Sequence, residues 1–252
     1  MQKLRFLVLT SLLMSSLALA GERVLFMGDS ITDGGWGNSG GAIKSSAERT
    51  HWDMNHIYGH GYMFLCAAHY QGHYPAHAYQ FFNRGIAGDS LADMEKRWET
   101  DALALKPDIL SVLIGTNDIN VFLSQNKSSF DIQDWGRRYR HLLDRARAAN
   151  PNLKLILGAP FVAKTGTMRE TKDYAKRAAA INLCIQEVKA IAKEYQALYL
   201  PYDELFRDLI AHSPNLPDTY WIWDGIHPTA AGHQRMADLW IQAVDEAKWL
   251  KR

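Results

Sequence analysis

Five short and almost continuously apolar runs constrain the fold of this chain more than any other feature of its sequence. The runs lie at residues 24–27, 79–82, 109–114, 153–157 and 197–200. Runs of this length without polar alternation are typical of strands that are covered on both faces. Longer segments with helical patterns separate them, which favours a parallel sheet with helices on both sides. We therefore predict an α/β fold with a central, mostly five-stranded parallel sheet.

Helical patterns occupy several of the intervening segments. Ser90 is followed three residues later by an acid, which predicts a capped helix start. Residues 132–149 and 169–196 are helical in pattern, and Pro151 follows the first of them. An apolar stripe at helical spacing predicts a final helix and consists of Met236, Leu239, Trp240, Val244 and Ala247. Because no repeat or linker interrupts this order, we expect residues 21–252 to form one domain.

The first 20 residues have the pattern of a secretory signal peptide. Lys3 and Arg5 precede an apolar stretch over residues 6–19, and small residues end it at Ala20. The apolar part is shorter than the roughly 20 residues that span a membrane. We expect cleavage after Ala20, export to the periplasm or beyond the cell, and no stable membrane insertion afterwards. An uncleaved N-terminal anchor is the alternative.

Charge and cysteine content limit the classes of partner. The chain has 28 Lys and Arg against 27 Asp and Glu, so its formal net charge of +1 indicates neither a nucleic acid nor an anionic lipid as partner. Its two cysteines, Cys66 and Cys184, lie in apolar, helix-like stretches. Buried free thiols are favoured there, and a disulfide between them stays open as an alternative.

A polar cluster follows each of the first three predicted strands. These clusters are Gly-Asp-Ser at residues 28–30, Asn-Arg-Gly-Ile-Ala-Gly-Asp-Ser at 83–90 and Gly-Thr-Asn-Asp at 115–118. A fourth cluster, Trp-Asp-Gly-Ile-His-Pro at residues 223–228, precedes the final helix. Ligands of such sheets bind beyond the carboxyl ends of the strands. The sequence therefore predicts the functional site at this edge of the sheet.

The first and fourth clusters contain the side chains that a serine nucleophile needs. A serine hydroxyl reacts well only when a base accepts its proton and a third group orients that base. Ser30 is the candidate nucleophile, His227 the candidate base and Asp224 the candidate orienting acid. The structural alternatives are that Ser30 only caps a helix, that His227 makes a structural hydrogen bond and that Asp224 is a turn residue.

Candidate donors for a developing oxyanion come from the other clusters. The backbone N–H groups of Ser30 and Gly88 can supply two hydrogen bonds, and the side-chain amide of Asn117 a third. A glycine allows its N–H to approach a reacting carbonyl closely. The alternatives are that Gly88 only relieves backbone strain and that Asn117 only bonds a turn.

Together the four clusters resemble those of the SGNH (GDSL-like) hydrolases, which are named for a serine, a glycine, an asparagine and a histidine in four ordered blocks. The matching residues here are Ser30, Gly88, Asn117 and His227, with Asp224 completing a triad. The blocks run in order over residues 28–227, which is most of the chain. Gly-Asp-Ser alone is a weak signal, but its combination with the third and fourth clusters is a specific one.

The resemblance implies a three-layer α/β/α sandwich with a flavodoxin-like sheet. It also implies hydrolysis through a covalent acyl-enzyme, with no cofactor. Ile31 stands where the family's common motif has leucine, a change seen widely among its carbohydrate-acting members. Ser30 and Gly88 lie further apart than in compact members because of the segment 34–61. Compact relatives therefore say little about the substrate.

The segment 34–61 departs from the alternation of strands and helices. It contains seven glycines, and a loop this long in a compact domain is usually functional or mobile. Trp36 and Trp52 within it, and Trp223 beside the candidate acid, are candidates for a flat apolar wall against a sugar ring. Core packing is the alternative for each of them.

Histidines are concentrated between residues 51 and 77. They are His51, His56, His60, His69, His73 and His77. Pairs four residues apart on one helix face can bind zinc. Pro75 interrupts any helix that joins the last two, and no Cys or paired carboxylate lies at ligand spacing. We therefore favour the absence of a metal site.

These patterns predict an exported serine esterase that hydrolyses short acyl esters, acetyl above all, of carbohydrates. Its substrate would be a small-molecule, oligosaccharide or polysaccharide ester. The alternatives are a lipolytic esterase or thioesterase for longer acyl chains, a non-catalytic carbohydrate-binding protein and a metal-dependent deacetylase. The sequence leaves the oligomeric state open.

Overall fold

The fold is described by a computed structural model over residues 21–35 and 57–251. The predicted signal peptide lies outside the described residues, as do Trp36, Trp52, His51 and His56. Within them, each of the five apolar runs becomes a strand whose limits differ from the predicted ones by no more than a few residues. The strands are β1 Arg23–Gly28, β2 Gln80–Gly85, β3 Ile109–Leu113, β4 Lys154–Gly158 and β5 Leu198–Leu200.

All pairings within this sheet are parallel, and the strand order is β2-β1-β3-β4-β5. The chain moves outward from β1 to β2 and then returns to place β3 on the other side of β1. Gly28 at the end of β1 is in register with Gly85 on β2 and Leu113 on β3. The polar clusters after these three strands therefore lie side by side where the order reverses, which is where ligands of such sheets bind.

Helices surround the sheet. They are α1 Ser30–Asp33, α2 Tyr62–His73, α3 Leu91–Lys96, α4 Thr116–Ser124, α5 Ile132–Ala149, α6 Tyr174–Glu194, α7 Tyr202–Ala211 and α8 Ala230–Glu246. The prediction of one continuous helix over 169–196 is wrong at its start. The 3₁₀ turn Gly166–Glu170 comes first, and α6 begins only at Tyr174. None of the described helices is long and apolar enough to span a bilayer.

Alternate side chains of β1 enter two separate apolar layers. Leu25 and Met27 are buried with residues of α3, α4, α5 and α6 on one face of the sheet. Val24 and Phe26 are buried with residues of α2, α7 and α8 on the other. Strands buried on both faces need continuous apolar sequence, which is why their runs are recognisable. The architecture is thus the predicted three-layer α/β/α sandwich.

The two cysteines lie on opposite faces of the sheet. Cys66 of α2 belongs to one apolar layer and Cys184 of α6 to the other. Both are buried free thiols, and burial raises the pKa of each well above its ordinary value. The sheet separates the two sulfur atoms, so the alternative of a disulfide between them is excluded.

Candidate active site

The candidate nucleophile lies where β1 gives way to α1. Ser30 is the first residue of α1, and the residue that caps this helix is Asp29, whose carboxylate accepts a hydrogen bond from Ile31 N at 3.0 Å. Asp29 is only 2% exposed, whereas Ser30 is half-buried. The helix cap is therefore supplied by Asp29, and the hydroxyl of Ser30 is left to face the edge of the sheet.

Close backbone packing holds this short helix in place. A Cβ atom added at Gly85, at the end of β2, would overlap the backbone nitrogen of Asp33. Ile31, Thr32 and Asp33 are all buried. The glycine allows α1 to rest directly on the neighbouring strand, so the position of Ser30 is set by packing.

Three predicted side chains meet in one line of hydrogen bonds. The Oγ of Ser30 is 2.9 Å from Nε2 of His227, although the two residues are 197 positions apart. The Nδ1 of His227 is 2.7 Å from Oδ2 of Asp224. An ionised carboxylate only accepts hydrogen bonds, so Nδ1 carries the proton and Nε2 is left to accept the proton of Ser30. This is the geometry in which a histidine can act as a base towards a serine.

Asp224 also organises the turn that carries the histidine. Its Oδ1 accepts hydrogen bonds from the backbone nitrogens of Ile226 at 2.9 Å and of His227 at 2.7 Å. Ile222 and Pro228 pair across the base of this turn in an antiparallel bridge. Burial by itself would raise the pKa of Asp224, but these hydrogen bonds outweigh it and hold the pKa below its ordinary value. Asp224 is therefore ionised at neutral pH.

A neighbouring segment, residues 163–168, supports the same turn from outside. Ala163 N donates to the carbonyl of Gly225 at 2.9 Å, and Met168 N to that of Asp224 at 3.2 Å. Gly166 has a φ of +49°, and a Cβ there would overlap the carbonyl oxygen of Trp223. Sequence analysis missed this support. An isolated glycine in a stretch with no assigned strand or helix was the available signal.

The other candidate oxyanion donors lie after the ends of β2 and β3, the two strands that flank β1. Gly88 follows β2 and has a φ of +89°, a conformation that glycine adopts readily. Asn117 is the second residue of α4, and its Nδ2 donates to the carbonyl of Asp89 at 3.1 Å. Asn117 therefore does bond a turn, as the structural alternative proposed. Its amide nitrogen carries two hydrogens, so one is left for another acceptor.

The loop that carries Gly88 is fastened by Arg97, which sequence analysis also missed. The guanidinium of Arg97 donates to the Asp89 carboxylate at 2.7 Å, to the carbonyl of Arg84 at 2.7 Å and to that of Gly28 at 3.3 Å. A further contact to Asp101 measures 2.8 Å. One side chain thus links the ends of β1 and β2 to the loop between β2 and α3.

Comparison with known proteins identifies the family. Residues 26–235 match the GDSL-like Lipase/Acylhydrolase family. The chain is 29% identical over 233 residues to an acetylxylan esterase from Geobacillus stearothermophilus, covering 89% of this chain and 94% of that enzyme. The chain belongs to the GDSL-like lipase/acylhydrolase family. It is a carboxylic ester hydrolase.

Solved structures of similar proteins agree with this assignment. A protein described as a GDSL-like lipase from Parabacteroides merdae has a TM-score of 0.76 and 28% identity, covering 89% of this chain and 95% of its own. The Geobacillus acetylxylan esterase has a TM-score of 0.69 and 26% identity, covering 89% and 94%. Further structures of that enzyme are of catalytic mutants in which a serine, an aspartate or a histidine is replaced by alanine. Its aspartate and histidine are three positions apart.

Two further acids of this GDSL-like hydrolase flank the site without entering the line of hydrogen bonds. Asp118 accepts hydrogen bonds from Leu91 N at 3.0 and 3.1 Å, and burial raises its pKa to about 6. Burial likewise raises the pKa of Asp29 to about 7. Both carboxyl groups accept backbone N–H bonds at helix starts, so they hold the chain where it enters α1 and α3.

Trp223 is the candidate wall residue that the described part of this hydrolase contains. Its side chain is 55% exposed, and its ring is stacked against that of His227 at a centroid distance of 6.4 Å and an angle of 24°. Core packing does not explain a tryptophan this exposed. The side chain instead offers an apolar face next to the candidate base.

Three of the histidines in the 51–77 region, His69, His73 and His77, lie on α2 or just after it. His69 and His73 are neighbours on α2, with ring centroids 4.8 Å apart. His77 belongs to a separate 3₁₀ turn and stacks on Tyr79. Within residues 21–35 and 57–251, no three His, Cys, Asp or Glu side chains are grouped so that they could hold a metal ion.

Proposed function

We propose that this GDSL-like hydrolase is an exported serine esterase that removes short acyl groups, acetyl above all, from carbohydrates. The observation that carries the proposal is the line of hydrogen bonds from Ser30 through His227 to Asp224, at 2.9 and 2.7 Å. Its place at the reversal of strand order, where the loops after β2 and β3 carry Gly88 and Asn117, supports the same proposal.

The proposed reaction proceeds in two steps. Ser30 Oγ attacks the ester carbonyl while His227 Nε2 accepts its proton, and Asp224 stabilises the resulting imidazolium. The oxyanion of the tetrahedral intermediate accepts hydrogen bonds from the backbone of Ser30 and Gly88 and from the Asn117 amide. As the intermediate collapses, the C–O bond to the sugar breaks, His227 gives its proton to the departing sugar oxygen, and the acyl group stays on Ser30 as an acyl-enzyme. Water, deprotonated by His227, attacks this ester and releases the carboxylic acid and free Ser30.

Two observations support a carbohydrate ester as substrate. The similar Geobacillus enzyme is an acetylxylan esterase, and the separation of its catalytic aspartate and histidine equals that of Asp224 and His227. The exposed ring of Trp223 lies next to His227, where an aromatic face can stack on a sugar. A sugar bound there would hold its acyl group near Ser30.

Export is proposed from the signal-peptide pattern of residues 1–20. The full chain, expressed with its first 20 residues, is expected to be recovered outside the cytoplasm with a new N-terminus at or near Gly21. Recovery of the intact chain in the membrane fraction would instead favour the uncleaved anchor. N-terminal sequencing of the isolated protein distinguishes the two.

The substrate is tested with a series of nitrophenyl esters from acetyl to long acyl chains, alongside acetylated xylan, pectin and sialic acid. We expect the highest kcat/KM for acetyl and release of acetate from at least one of the sugars. Equal or higher kcat/KM on long acyl chains would favour the lipolytic alternative. Activity that chelators abolish would favour a metal-dependent deacetylase.

The nucleophile is tested with Ser30→Ala. Loss of a triad serine typically lowers kcat by about 10⁴-fold or more, because no other group forms the acyl-enzyme. The melting temperature should change little, since Ser30 is not the helix cap. A variant that kept kcat within about tenfold of wild type would contradict the proposed mechanism.

A further inference from the structure

Three polar side chains form a line of hydrogen bonds that leads away from the candidate oxyanion site. Asn120 Nδ2 donates to Oδ1 of Asn117 at 2.9 Å, one turn further along α4. The guanidinium of Arg177, in the first turn of α6, donates to Oδ1 of Asn120. At the other end, Asn117 Nδ2 donates to the carbonyl of Asp89. The line therefore runs from α6 through α4 to the loop that carries Gly88.

The two ends of this line determine the direction in which every hydrogen bond points. A primary amide can be turned over, and doing so exchanges its donor and its acceptor. Arg177 has only donors, so Asn120 must present its oxygen to it and its NH₂ to Asn117. The carbonyl of Asp89 only accepts, so Asn117 must present its NH₂ there. Both ends demand the same orientation of the Asn117 amide.

That orientation matters for an oxyanion. With its NH₂ towards the Asp89 loop, Asn117 uses one hydrogen on the Asp89 carbonyl and keeps the second for another acceptor. Turned over, the same side chain would present an oxygen to a developing negative charge, which is repulsive. The difference between the two orientations therefore bears on the transition state rather than on the folded state alone.

Arg177 is an unusual partner for an amide. Its guanidinium is half-buried, and this burial lowers its pKa. Buried charges are usually compensated by a carboxylate. In the described part of the chain, its hydrogen-bonding partner is the neutral Asn120 amide, and Asp173 contributes only at longer range. The charged guanidinium of Arg177 therefore orients the Asn120 amide strongly, because hydrogen bonds that involve a charged group are stronger than those between neutral groups.

We propose that Asn120 and Arg177 are positioning residues that fix the orientation of the Asn117 amide, so that its NH₂ group faces the oxyanion. The inference rests on the proposed function, in which Asn117 is an oxyanion donor. Neither positioning residue needs to touch the substrate. Their effect passes through Asn117 alone, and this is what an experiment can separate from a merely structural role.

The test uses Asn120→Leu, a neutral variant of similar size that neither donates nor accepts. We expect kcat on nitrophenyl acetate to fall about tenfold with little change in KM, because the amide of Asn117 is no longer held in one orientation. Asn120→Asp should lower kcat further, because a carboxylate next to Asn117 Oδ1 favours the reversed amide. Arg177→Met should lower kcat from the other end of the line.

A double-mutant cycle with Asn117→Ala separates positioning from folding. Asn117→Ala alone should lower kcat about 100-fold, the loss typical of one oxyanion donor. Asn120→Leu or Arg177→Met added to it should change kcat by less than about twofold, because the group through which they act is gone. As matched control, Arg145→Met removes an exposed ion pair with Glu99 and should leave kcat unchanged.

The outcomes distinguish this inference from the proposed function. If Asn117→Ala lowers kcat while Asn120→Leu and Arg177→Met do not, the positioning role is overturned and the proposed function stands. Equal losses in the wild-type and Asn117→Ala backgrounds would also overturn it, because they indicate a structural role. If Asn117→Ala keeps full kcat while Ser30→Ala is inactive, the oxyanion role of Asn117 fails, and the positioning role fails with it. Should one positioning variant not fold, the other supplies the same cycle.

Discussion

The nucleophile segment, residues 28–34, and the acid–base turn, residues 221–229, are held in place by different forces. Three of the four residues of α1 are buried, and Asp29, which caps this helix, is 2% exposed. The acid–base turn contains no strand or helix of the sheet layers, and the side chain of His227 is 38% exposed. Ile222 anchors its start in the apolar layer that contains residues of α7 and α8, but the shape of residues 223–228 comes from hydrogen bonds to Asp224 and from the adjoining segment 163–168. Packing positions Ser30, whereas hydrogen bonds hold Asp224 and His227.

This difference predicts how each half fails. A change that disturbs the packing under Ser30 acts on the core, so stability and activity should fall together. A change to the polar groups of the acid–base turn, Asp224 and His227, disturbs few apolar contacts, so activity should fall while the core stays folded. Four measurements test this division, from the largest expected effect to the smallest.

Asp224→Asn should produce the largest loss. An amide in place of the carboxylate no longer fixes the proton on Nδ1 of His227 or stabilises the imidazolium, and the corresponding change in serine proteases lowers kcat by about 10⁴-fold. The fold should survive, since the side chain lies in the turn and not in an apolar layer. Steady-state kinetics on nitrophenyl acetate and thermal unfolding provide both readouts.

Asp218→Asn is the matched control for this variant, because it alters an exposed acid paired with Arg169. It should keep wild-type kinetics. If Asp224→Asn retained more than about a tenth of wild-type kcat, the turn would be held without its carboxylate. The contrast between the two halves would then be wrong.

A methyl group added to the residues that support either half should separate stability from activity. Gly166→Ala places a Cβ against the Trp223 carbonyl, so the acid–base turn must shift, and a misplacement of about 1 Å can cost about 100-fold in rate. Gly85→Ala places a Cβ against the backbone of α1 and should cost about 1–3 kcal/mol of unfolding free energy, as overpacking does. Denaturant titration and kcat, measured on the same preparations, distinguish them.

Gly72→Ala provides the control for both, since a Cβ at this position in α2 meets nothing within 4 Å. Alanine is the better helix former, so unfolding free energy should be unchanged or rise by up to about 1 kcal/mol. Because Gly166 has a φ of +49°, alanine there costs about 1–2 kcal/mol from backbone strain alone. A loss of unfolding free energy beyond that amount would mean that the turn belongs to the core. The two halves would then fail alike.

Asp29, the buried acid that precedes Ser30, should make the free energy of unfolding depend on pH. Burial raises the folded-state pKa of Asp29 from 3.8 to about 7, so the folded protein binds this proton more tightly than the unfolded chain does. The corresponding stability is fully present below about pH 4 and is lost as pH rises through 7. An asparagine at this position has no proton to lose and can still cap α1. Relative to wild type, Asp29→Asn should therefore gain on the order of 2 kcal/mol between pH 5 and pH 8.

Urea unfolding of both proteins at the two pH values measures this gain. Asp218→Asn serves again as control, since it makes the same acid-to-amide change at an exposed position. A gain of the opposite sign, with Asp29→Asn losing stability towards pH 8, would indicate that the carboxylate is stabilised in its ionised form. The nucleophile segment would then depend on charge as well as on packing.

Trp223→Ala should have the smallest effect and the most specific one. Its ring is largely exposed, so little unfolding free energy is at stake. We expect kcat/KM on acetylated xylan to fall several-fold more than on nitrophenyl acetate, because only the polymer offers a sugar ring to stack. An equal fall on both substrates would assign Trp223 to the support of His227 instead of to substrate binding.

The extent to which the fold could be predicted varies with the kind of contact. The strands were recognisable because a strand covered on both faces, such as β3, must be apolar at nearly every position. The helices α4 and α7 were not among the predicted elements. The sequence of α4 begins with polar residues that serve the site, Asn117 among them, and this obscures its helical pattern. Local sequence patterns therefore predict buried elements better than they predict elements whose residues serve the site.

The same distinction applies to the site. Ser30, Asp224 and His227 could be proposed because their residue types and order are specific to one chemistry. The supports could not be proposed. Arg97, Arg177 and the segment 163–168 act through partners that are distant in sequence, and no local pattern indicates which carbonyl or amide they will meet. Their roles depend on how the helices and loops meet in three dimensions.

The turn around Asp224 carries the acid and the base on one short piece of chain, which has a consequence for protein design. The carboxylate of Asp224 accepts hydrogen bonds from the backbone nitrogens of Ile226 and His227 and from the ring Nδ1 of His227, three positions along the chain. Acid and base therefore arrive already aligned with each other, and a scaffold has only to bring a serine within reach of Nε2. Two separately supported elements would need two independent alignments. A designer who grafts such a turn next to a serine at the start of another helix therefore has to align two parts, the turn and the serine, instead of three separate side chains.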